Sequence, residues 1–407
     1  MSYDHDKRTR RYGIIKPLVP ALLLTAFTPF TAWSADQSVQ LEEVIVTARK
    51  REERLIDVPV SAAVLTAEEI DRYRTRDLAD ITERIPGVEI NHGGGGGQGG
   101  NLRIRGVGNL AGDYGTDQPV SLVMDGMSFQ RSHVLDTGFF DVQSLEVLKG
   151  PQSLYFGKNS PAGVIGVTSI SPEIGEDLSG FVRASYEYVT EDPVIEAGIS
   201  FTLSDTLAMR VAGRFQDMSG GWLDNSAALI DNQVGDALLG MPMYSDPTLQ
   251  PRGPSHDKYP AQEQTVIRWT TVWQPTENFE AKLKLFHSKS EQNDTAQTVL
   301  YACADGPGGH PHFGAGPFLW EDTTQTCGSL KLERNSALPP AGVANKALGF
   351  DEDDRFHNRF ENDIYTLELT WDIGDYTLTS LTGVWDYKHR EYTNYDYTSF
   401  AVVVSDQ

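Results

Sequence analysis

The chain has 407 residues, with 57 acidic against 34 basic side chains and a formal net charge of −23. So acidic a chain repels nucleic acid and polyphosphate, which excludes one large class of partners. After the first 35 residues there is no long continuous apolar run, so any crossing of a membrane has to be made by strands.

The first element is a leader. Lys7, Arg8, Arg10, Arg11 and Lys16 form a basic start, Leu18 to Ala26 are almost wholly apolar, and Ala32-Trp33-Ser34-Ala35 offers small residues for cleavage. This reads as a signal peptide over residues 1–35. An uncleaved anchor is the weaker alternative, because Pro17, Pro20 and Pro29 interrupt an apolar stretch already short for a span. Then comes Glu42-Glu43-Val44-Ile45-Val46-Thr47-Ala48, a short run of β-prone residues. In extended conformation it carries free backbone donors and acceptors, so another protein's sheet edge can take it up as an added strand.

Residues 56–176 read as a small α/β unit. Thr66-Ala67-Glu68-Glu69 fits a capping box opening a helix through Ile70, Tyr73 and Arg74. A second helix is predicted from Arg76 to Ile85, capped by Thr75 and stopped by Pro86-Gly87. Strands follow at Val88 to Asn91, Leu102 to Gly106, Val120 to Met124, Ser144 to Lys149 and Gly163 to Ser169. The glycine run after His92 contains Gly95, Gly97 and Gly100 at dinucleotide-fingerprint spacing. No helix of the right kind follows, so a flexible or closely approached loop is the better reading.

From residue 177 to 407 the period becomes two. Ile195, Ala197, Ile199, Phe201 and Leu203 alternate with Glu196, Gly198, Ser200 and Thr202. Leu207, Met209, Val211 and Phe215 alternate with Arg210, Arg214 and Gln216; Leu283 and Leu285 with Lys282 and Lys284; Tyr365, Leu367, Leu369 and Trp371 with Thr366, Glu368 and Thr370. One apolar and one wet face are the pattern of a transmembrane β-barrel; a soluble β-sandwich, which also alternates, is the weaker alternative. Connection lengths discriminate between them. Tight turns at Ser204-Asp205-Thr206, Pro275-Thr276-Glu277-Asn278 and Gly374-Asp375 alternate with polar excursions from about Gly220 to Glu263 and from Asn293 to Arg359, the asymmetry of outer-membrane barrels. Trp222, Trp269, Trp273, Trp371, Trp385, Tyr186 and Tyr188 are candidates for interfacial girdles.

The second excursion holds both cysteines. Cys303 and Cys327 in an oxidising compartment are expected to form a disulfide; a metal site with His310 and His312 is the minority alternative, since the spacing is not that of a zinc finger. Asp351-Glu352-Asp353-Asp354 lacks the glycine and ligand spacing of a calcium loop and reads as a solvated face. No nucleophile, base and orienting group are recognisable together, so an enzyme, a cofactor or a metal centre is not expected.

Several motifs in one order carry a family resemblance. Ile85-Pro86-Gly87-Val88, Leu102-Arg103-Ile104-Arg105-Gly106, Val123-Met124-Asp125-Gly126, the run Leu145 to Gly157 and Ser160-Pro161-Ala162-Gly163-Val164-Ile165 resemble the plug-domain motifs of TonB-dependent outer-membrane receptors. The segment Glu42 to Ala48 resembles their TonB box. The resemblance implies a fold: an α/β plug domain followed by the first seven or so antiparallel strands of a transmembrane β-barrel, left incomplete. Barrels of roughly 22 strands are usual for plugged outer-membrane transporters, so the chain is expected to be the N-terminal part of a longer receptor. The expected division is signal peptide 1–35, box and linker 36–55, plug 56–176 and partial barrel 177–407.

What the resemblance implies for function is energised uptake of a scarce bulky solute across the outer membrane of a Gram-negative bacterium, with the plug on the periplasmic side of the lumen. The partners would be TonB with its inner-membrane energising complex, outer-membrane lipid and an extracellular ligand. Ferric siderophore is the expected cargo; carbohydrate, cobalamin, haem and aromatic compounds are the alternatives. By family analogy Arg105 and Lys149 are docking charges that pair with barrel carboxylates, although a lysine at 149 lacks the planar fork of arginine. Tyr114, Gln118, Phe129, Arg131 and His133 lie on or beside the plug's apical loops and are candidates for ligand contact. A signalling receptor would carry a further periplasmic domain before the box, and a passive pore or adhesin needs neither box nor plug. A secreted soluble enzyme is the remote alternative.

Overall fold

The computed structural model describes residues 45–46, 53–54, 60–73, 79–92, 100–108, 117–129, 134, 140–221, 223–225, 258–293, 312–313, 320–321, 333–334, 357–394 and 404–406. Its architecture is a small α/β unit packed on one face of a long antiparallel sheet.

The α/β unit begins with β1 (Ser61–Thr66), which runs directly into α1 (Ala67–Tyr73). The capping box forms as expected: the Glu69 amide donates to Thr66 Oγ1 at 3.3 Å and the Thr66 amide to Glu69 Oε2 at 3.1 Å. α2 is only Ala79–Thr82, shorter at its end than predicted; a turn carries the chain to Ile85, and Gly87 at φ 78° leads into β2 (Val88–His92). At that φ a glycine takes the backbone without the strain a side chain would add. β3 (Gly100–Ile104) and β4 (Val107–Gly108) complete a three-stranded sheet in the order β2-β3-β4.

The main sheet of the unit follows. Its further strands are β5 (Val120–Met124), β6 (Met127–Phe129), β7 (Val142–Lys149) and, after the single-turn helix α3 (Ser153–Phe156), β8 (Gly163–Ser169). The order is β1-β7-β8-β5-β6, antiparallel except where β8 lies parallel to β5. β5 and β8 occupy their predicted spans, whereas β1 and β6 were not anticipated. β1 is rich in alanine, which disguises a strand, and β6 has only three residues. Leu122, Leu145, Val147 and Ile165 are fully buried between this sheet and its surroundings.

Eight strands form the second sheet, in sequence order. They are β9 (Ser179–Glu187), β10 (Asp192–Ser204), β11 (Leu207–Met218), β12 (Gln262–Thr276), β13 (Phe279–Gln292), β14 (His357–Ile373), β15 (Tyr376–Asn394) and β16 (Val404–Asp406). Seven are long, and each reaches the roughly 9–11 residues that a tilted strand needs to cross a bilayer. The sheet does not close on itself. Two-residue turns join β10 to β11, β12 to β13 and β14 to β15 at one end; the long excursions all leave from the other.

The two faces differ as the alternation requires. Ile195, Ile199, Leu203, Phe215, Ile267, Trp269, Leu283, Tyr365, Leu367 and Trp371 are exposed on the outer face. An apolar surface this continuous is what lipid contact selects. At the short-turn end Trp273, Phe279 and Trp371 stack edge to face, with centroids 6.2 and 6.5 Å apart, on strands where an interfacial belt belongs. Trp385 departs from the girdle expectation. It points inward, in edge contact with Phe129 of the α/β unit at 5.0 Å. Trp222 and both cysteines, Cys303 and Cys327, lie outside the described residues.

Thr66→Ala removes one arm of the capping box, a change of about 1 kcal/mol in helix stability. Hydrogen exchange at the amides of Glu69 and Ile70 should quicken several-fold; unaltered protection there would show that α1 is held by packing alone.

Candidate functional site: the seam between the α/β unit and the sheet

The inner face of the sheet is defined by what packs on it. Ala212, Val266, Phe286 and Ile364 belong to the same apolar cluster as Leu122, Met124, Phe129 and Val142 of the α/β unit. Because side chains alternate, the same face carries Arg268 together with Arg210, Lys282 and Lys284, which the sequence pattern places on the wet face. Ser200, Arg210, Thr270, Lys284, Thr366 and Gly383 lie directly opposite one another across six strands and so form one rung.

Two carboxylates of the α/β unit are seated on that rung. Asp125 and Gly126 make the two-residue turn between β5 and β6, at φ 48° and 80°, the left-handed pair of a type I′ hairpin. Aspartate tolerates this backbone better than most residues, and glycine follows because a Cβ at 126 would stand 2.8 Å from Leu381 Cδ2 on β15. Lys284 Nζ donates to Asp125 Oδ1 at 2.7 Å and to Ser169 Oγ at 2.9 Å. The Ser169 amide and hydroxyl both donate to Asp125 at 2.9 Å. Arg268 Nη1 stands 3.8 Å from Asp125 Oδ2, with its guanidinium 4.6 Å over the Phe286 ring.

Asp141 is the second pin. It too has a left-handed backbone, at φ 58°, and its carbonyl accepts the Ile170 amide at 3.0 Å. Arg210 grips its carboxylate through Nε at 3.0 Å and through Nη2, while Nη1 donates to Ser200 Oγ at 2.7 Å. Both partners are almost wholly buried, at 7% and 2% side-chain exposure. Asp125 and Asp141 thus flank Ser169, the last residue of β8, from either side. A cavity of about 450 Å³ opens beside the first pin, lined by Asp125, Gly126, Glu280, Lys282, Lys284 and Glu368 among others.

Burial on its own would raise the Asp125 carboxyl; the charges of Lys284 and Arg268 and the hydrogen bonds from Lys284 and Ser169 outweigh it and hold the group below its ordinary 3.8. A carboxyl depressed on folding stabilises the folded state fully above its unfolded pKa. That contribution is lost as pH falls through the folded value, so the seat weakens only in acid below about pH 4.

The sequence-derived candidates fall differently. Arg105 occupies the left-handed first position of the β3–β4 turn, at φ 54°, is exposed, and meets no carboxylate among the described residues; its amide donates to the Gly87 carbonyl at 2.7 Å. Lys149 ends β7 and donates to the Pro86 carbonyl at 2.7 Å, within the unit. Phe129 is 2% exposed and packs on Trp385. Gln118 is buried at 8%, and its Oε1 has no hydrogen-bond partner. Tyr114, Arg131 and His133 lie outside the described residues. Of the segment Glu42, Glu43, Val44, Ile45, Val46, Thr47 and Ala48, only Ile45 and Val46 are described; they form a two-residue antiparallel ladder with Arg54 and Glu53. Among the described residues no group of three or more His, Cys, Asp or Glu is placed to hold a metal ion.

Sequence reasoning missed Asp125, Asp141 and their three cationic partners as a set. A signal was present: cations at inward positions of adjacent strands need carboxylates from whatever fills the concavity.

A folded unit seated inside a strand wall is the arrangement on which the comparisons converge. The sequence model described as the TonB-dependent receptor plug domain matches residues 54–164. Residues 54–164 thus carry the plug domain of the TonB-dependent receptors. It is 27% identical over 215 residues to the vitamin B12 transporter BtuB of Vibrio vulnificus, an overlap covering 50% of this chain and 33% of that one. Among solved structures it resembles the ferric yersiniabactin uptake receptor FyuA of Yersinia pestis, at TM-score 0.56 and 17% identity, over 82% of this chain and 42% of that one. The siderophore receptor PiuA of Acinetobacter baumannii gives TM-score 0.55 at 17% identity, over 85% and 39%. These structures establish the shared fold. The chain spans a third to two fifths of these relatives, and the α/β unit and sheet are plug and barrel wall.

Asp125→Asn leaves Lys284 and Arg268 buried without a countercharge, a loss on the order of 3–5 kcal/mol in seating the plug. Limited proteolysis of the receptor should cut near β5–β6 far faster in the variant at pH 7, with the difference shrinking towards pH 3. Equal cleavage at pH 7 would rule out the pin.

Proposed function

We propose that the full-length protein is an energised importer in the outer membrane of a Gram-negative bacterium, taking up a scarce bulky solute, foremost a ferric siderophore. The observation that carries this reading is the plug itself: a folded unit held on the inner wall of a lipid-facing sheet by two buried ion pairs is a stopper. A passive pore has no use for one. The plug lies on the periplasmic side of the lumen, and the long excursions face outward.

In this reading residues 1–35 are the leader, 36–55 the box and linker, 56–176 the plug and 177–407 the wall. TonB takes up Glu42 to Ala48 as an added strand through Val44 to Thr47. A two-residue ladder such as Ile45–Val46 with Glu53–Arg54 is easily exchanged for a longer one. Work drawn from the inner-membrane potential, about 2.3 kcal/mol per charge per 100 mV, is comparable after a few charges with the stability of an ordinary domain. Tyr114, Gln118, Phe129, Arg131 and His133 are the ligand-contact candidates, Arg105 and Lys149 the family's docking positions, and Cys303 with Cys327 a bridge across the second long excursion.

Siderophore receptors among the similar structures support the iron reading, and the similarity to a vitamin B12 transporter supports cobalamin as the second. Carbohydrate, haem and aromatic cargo remain further alternatives within the same mechanism.

Val46→Pro deletes a ladder donor at the centre of the box. In cells expressing the full-length receptor, uptake of the cargo should fall to the level of a strain lacking TonB while surface binding persists. Undiminished uptake would refute strand pairing at this segment.

A further inference from the structure

The seat of the Asp125–Gly126 turn is closed on one side and open on the other. Towards the long excursions the next inward wall positions are filled: Arg268, Phe286 and Ile364 are buried, and Trp385 lies against Phe129. Towards the short turns there is space. The cavity of about 450 Å³ beside Asp125 runs down past Lys282 and Glu368 to Gln274, and a second of about 430 Å³ reaches Leu381 and Thr379 of β15. Gly126 and Glu368 line both. Every wall residue bordering either cavity is on the seat rung or nearer the short turns.

This space holds charges beyond those of the seat. Lys282 follows Lys284 by one repeat of the pleat, so it faces the same way about 7 Å along the strand. It stands 3.3 Å from Glu280, and both side chains are wetter than the seat, at 26% and 35% exposure. Glu368 lies directly opposite Lys282 on β14 and diagonally from Lys284. Diagonal neighbours on a sheet are within reach of long side chains. Half-buried, the Glu368 carboxylate makes no hydrogen bond or ion pair among the described residues.

The geometry points to a hand-over built into the first pin. As the β5–β6 turn shifts a few ångströms towards the short turns, Asp125 passes from Lys284 to Lys282 and Lys284 passes to Glu368. Neither lysine nor the aspartate is then left buried and alone, the state that makes breaking an ion pair costly. Arg268 keeps the Phe286 ring beneath it. The flexible lysine stems cover much of the repeat, so the turn itself travels less than 7 Å, by roughly half. Asp141 has no second partner of this kind, because one repeat nearer the short turns β11 and β10 present Ala208 and Thr202. The second pin is the fixed end, and the hairpin swings from it. That a pull arrives from the short-turn side rests on the importer reading; the exchange of partners does not.

A double-substitution cycle on the purified full-length receptor tests it, read as the rate of proteolysis near β5–β6 at pH 7. Lys282→Met alone should leave the rate as in the wild type, because Lys284 holds the seat. Lys284→Met should raise it modestly, because Lys282 takes over the aspartate. The two together should raise it at least about 5-fold beyond the product of the single effects. Zero-length carbodiimide coupling with peptide mapping gives an independent reading: an amide between Asp125 and Lys282 should be a minor product in the wild type and the main one in Lys284→Met. Single effects that simply multiply, or absence of that amide from Lys284→Met, overturn the inference. Should Lys284→Met not assemble, absence of the amide from the wild type overturns it. Coupling in the cycle alongside import that persists without TonB would discard the importer reading and leave the hand-over standing.

Discussion

Two carboxylates of the plug, each 10% exposed or less, hold it against the described strand wall. Asp125 and Asp141 reach from the plug into the inner face of the wall and meet Lys284, Arg268 and Arg210 there. Removing such groups from water is expensive, and the attraction between them only about offsets it when geometry is good and the remaining lone pairs are satisfied. Ser169 donates to the Asp125 carboxylate at the first pin, and at the second Ser200 Oγ accepts the Nη1 proton that Arg210 does not give to Asp141.

The backbone is bent to deliver them. Both aspartates have left-handed φ, and both are tied to the end of β8 through main-chain hydrogen bonds, Asp125 to Val167 and Ile170 to Asp141. The type I′ turn at Asp125-Gly126 matches the twist of its hairpin and brings the turn within van der Waals reach of β15, so the local strain and the docking contact have one origin. On the wall side the constraint is register. A slip of one residue in β11 or β13 would turn Arg210 or Lys284 out to the lipid face and bring an apolar neighbour against the aspartate.

Much of the fold was legible because it rests on local or periodic signals. The capping box at Thr66, β5, β8 and the alternation along β10 to β14 all follow from residue spacing. What escaped depends on tertiary partners. β1 is an alanine-rich strand stabilised by its pairing with β7, and Trp385 faces inward because Phe129 is there to receive it. The docking charges show the same limit: family analogy directs attention to Arg105 and Lys149, while the contacts along the described wall run with opposite polarity, acid on the plug and base on the wall. A pairing between segments far apart in sequence leaves no short motif in either.

That polarity bears on how the plug can be held in one place without being held deeply. Apolar packing between Phe129, Met124, Val266, Phe286 and Ile364 is non-directional and would tolerate small slips of the plug against the wall. Buried ion pairs tolerate none, because a displacement of a few ångströms leaves charges without partners. Their net contribution to affinity is small, whereas the penalty for misplacement is large. The combination fixes one seated position without making it deep. A plug held mainly by a larger apolar interface would be seated more deeply and positioned less exactly. The cavity beside Asp125 fits the same logic, since polar side chains and space for water next to Lys284 give the charges a route to solvation once the carboxylate moves.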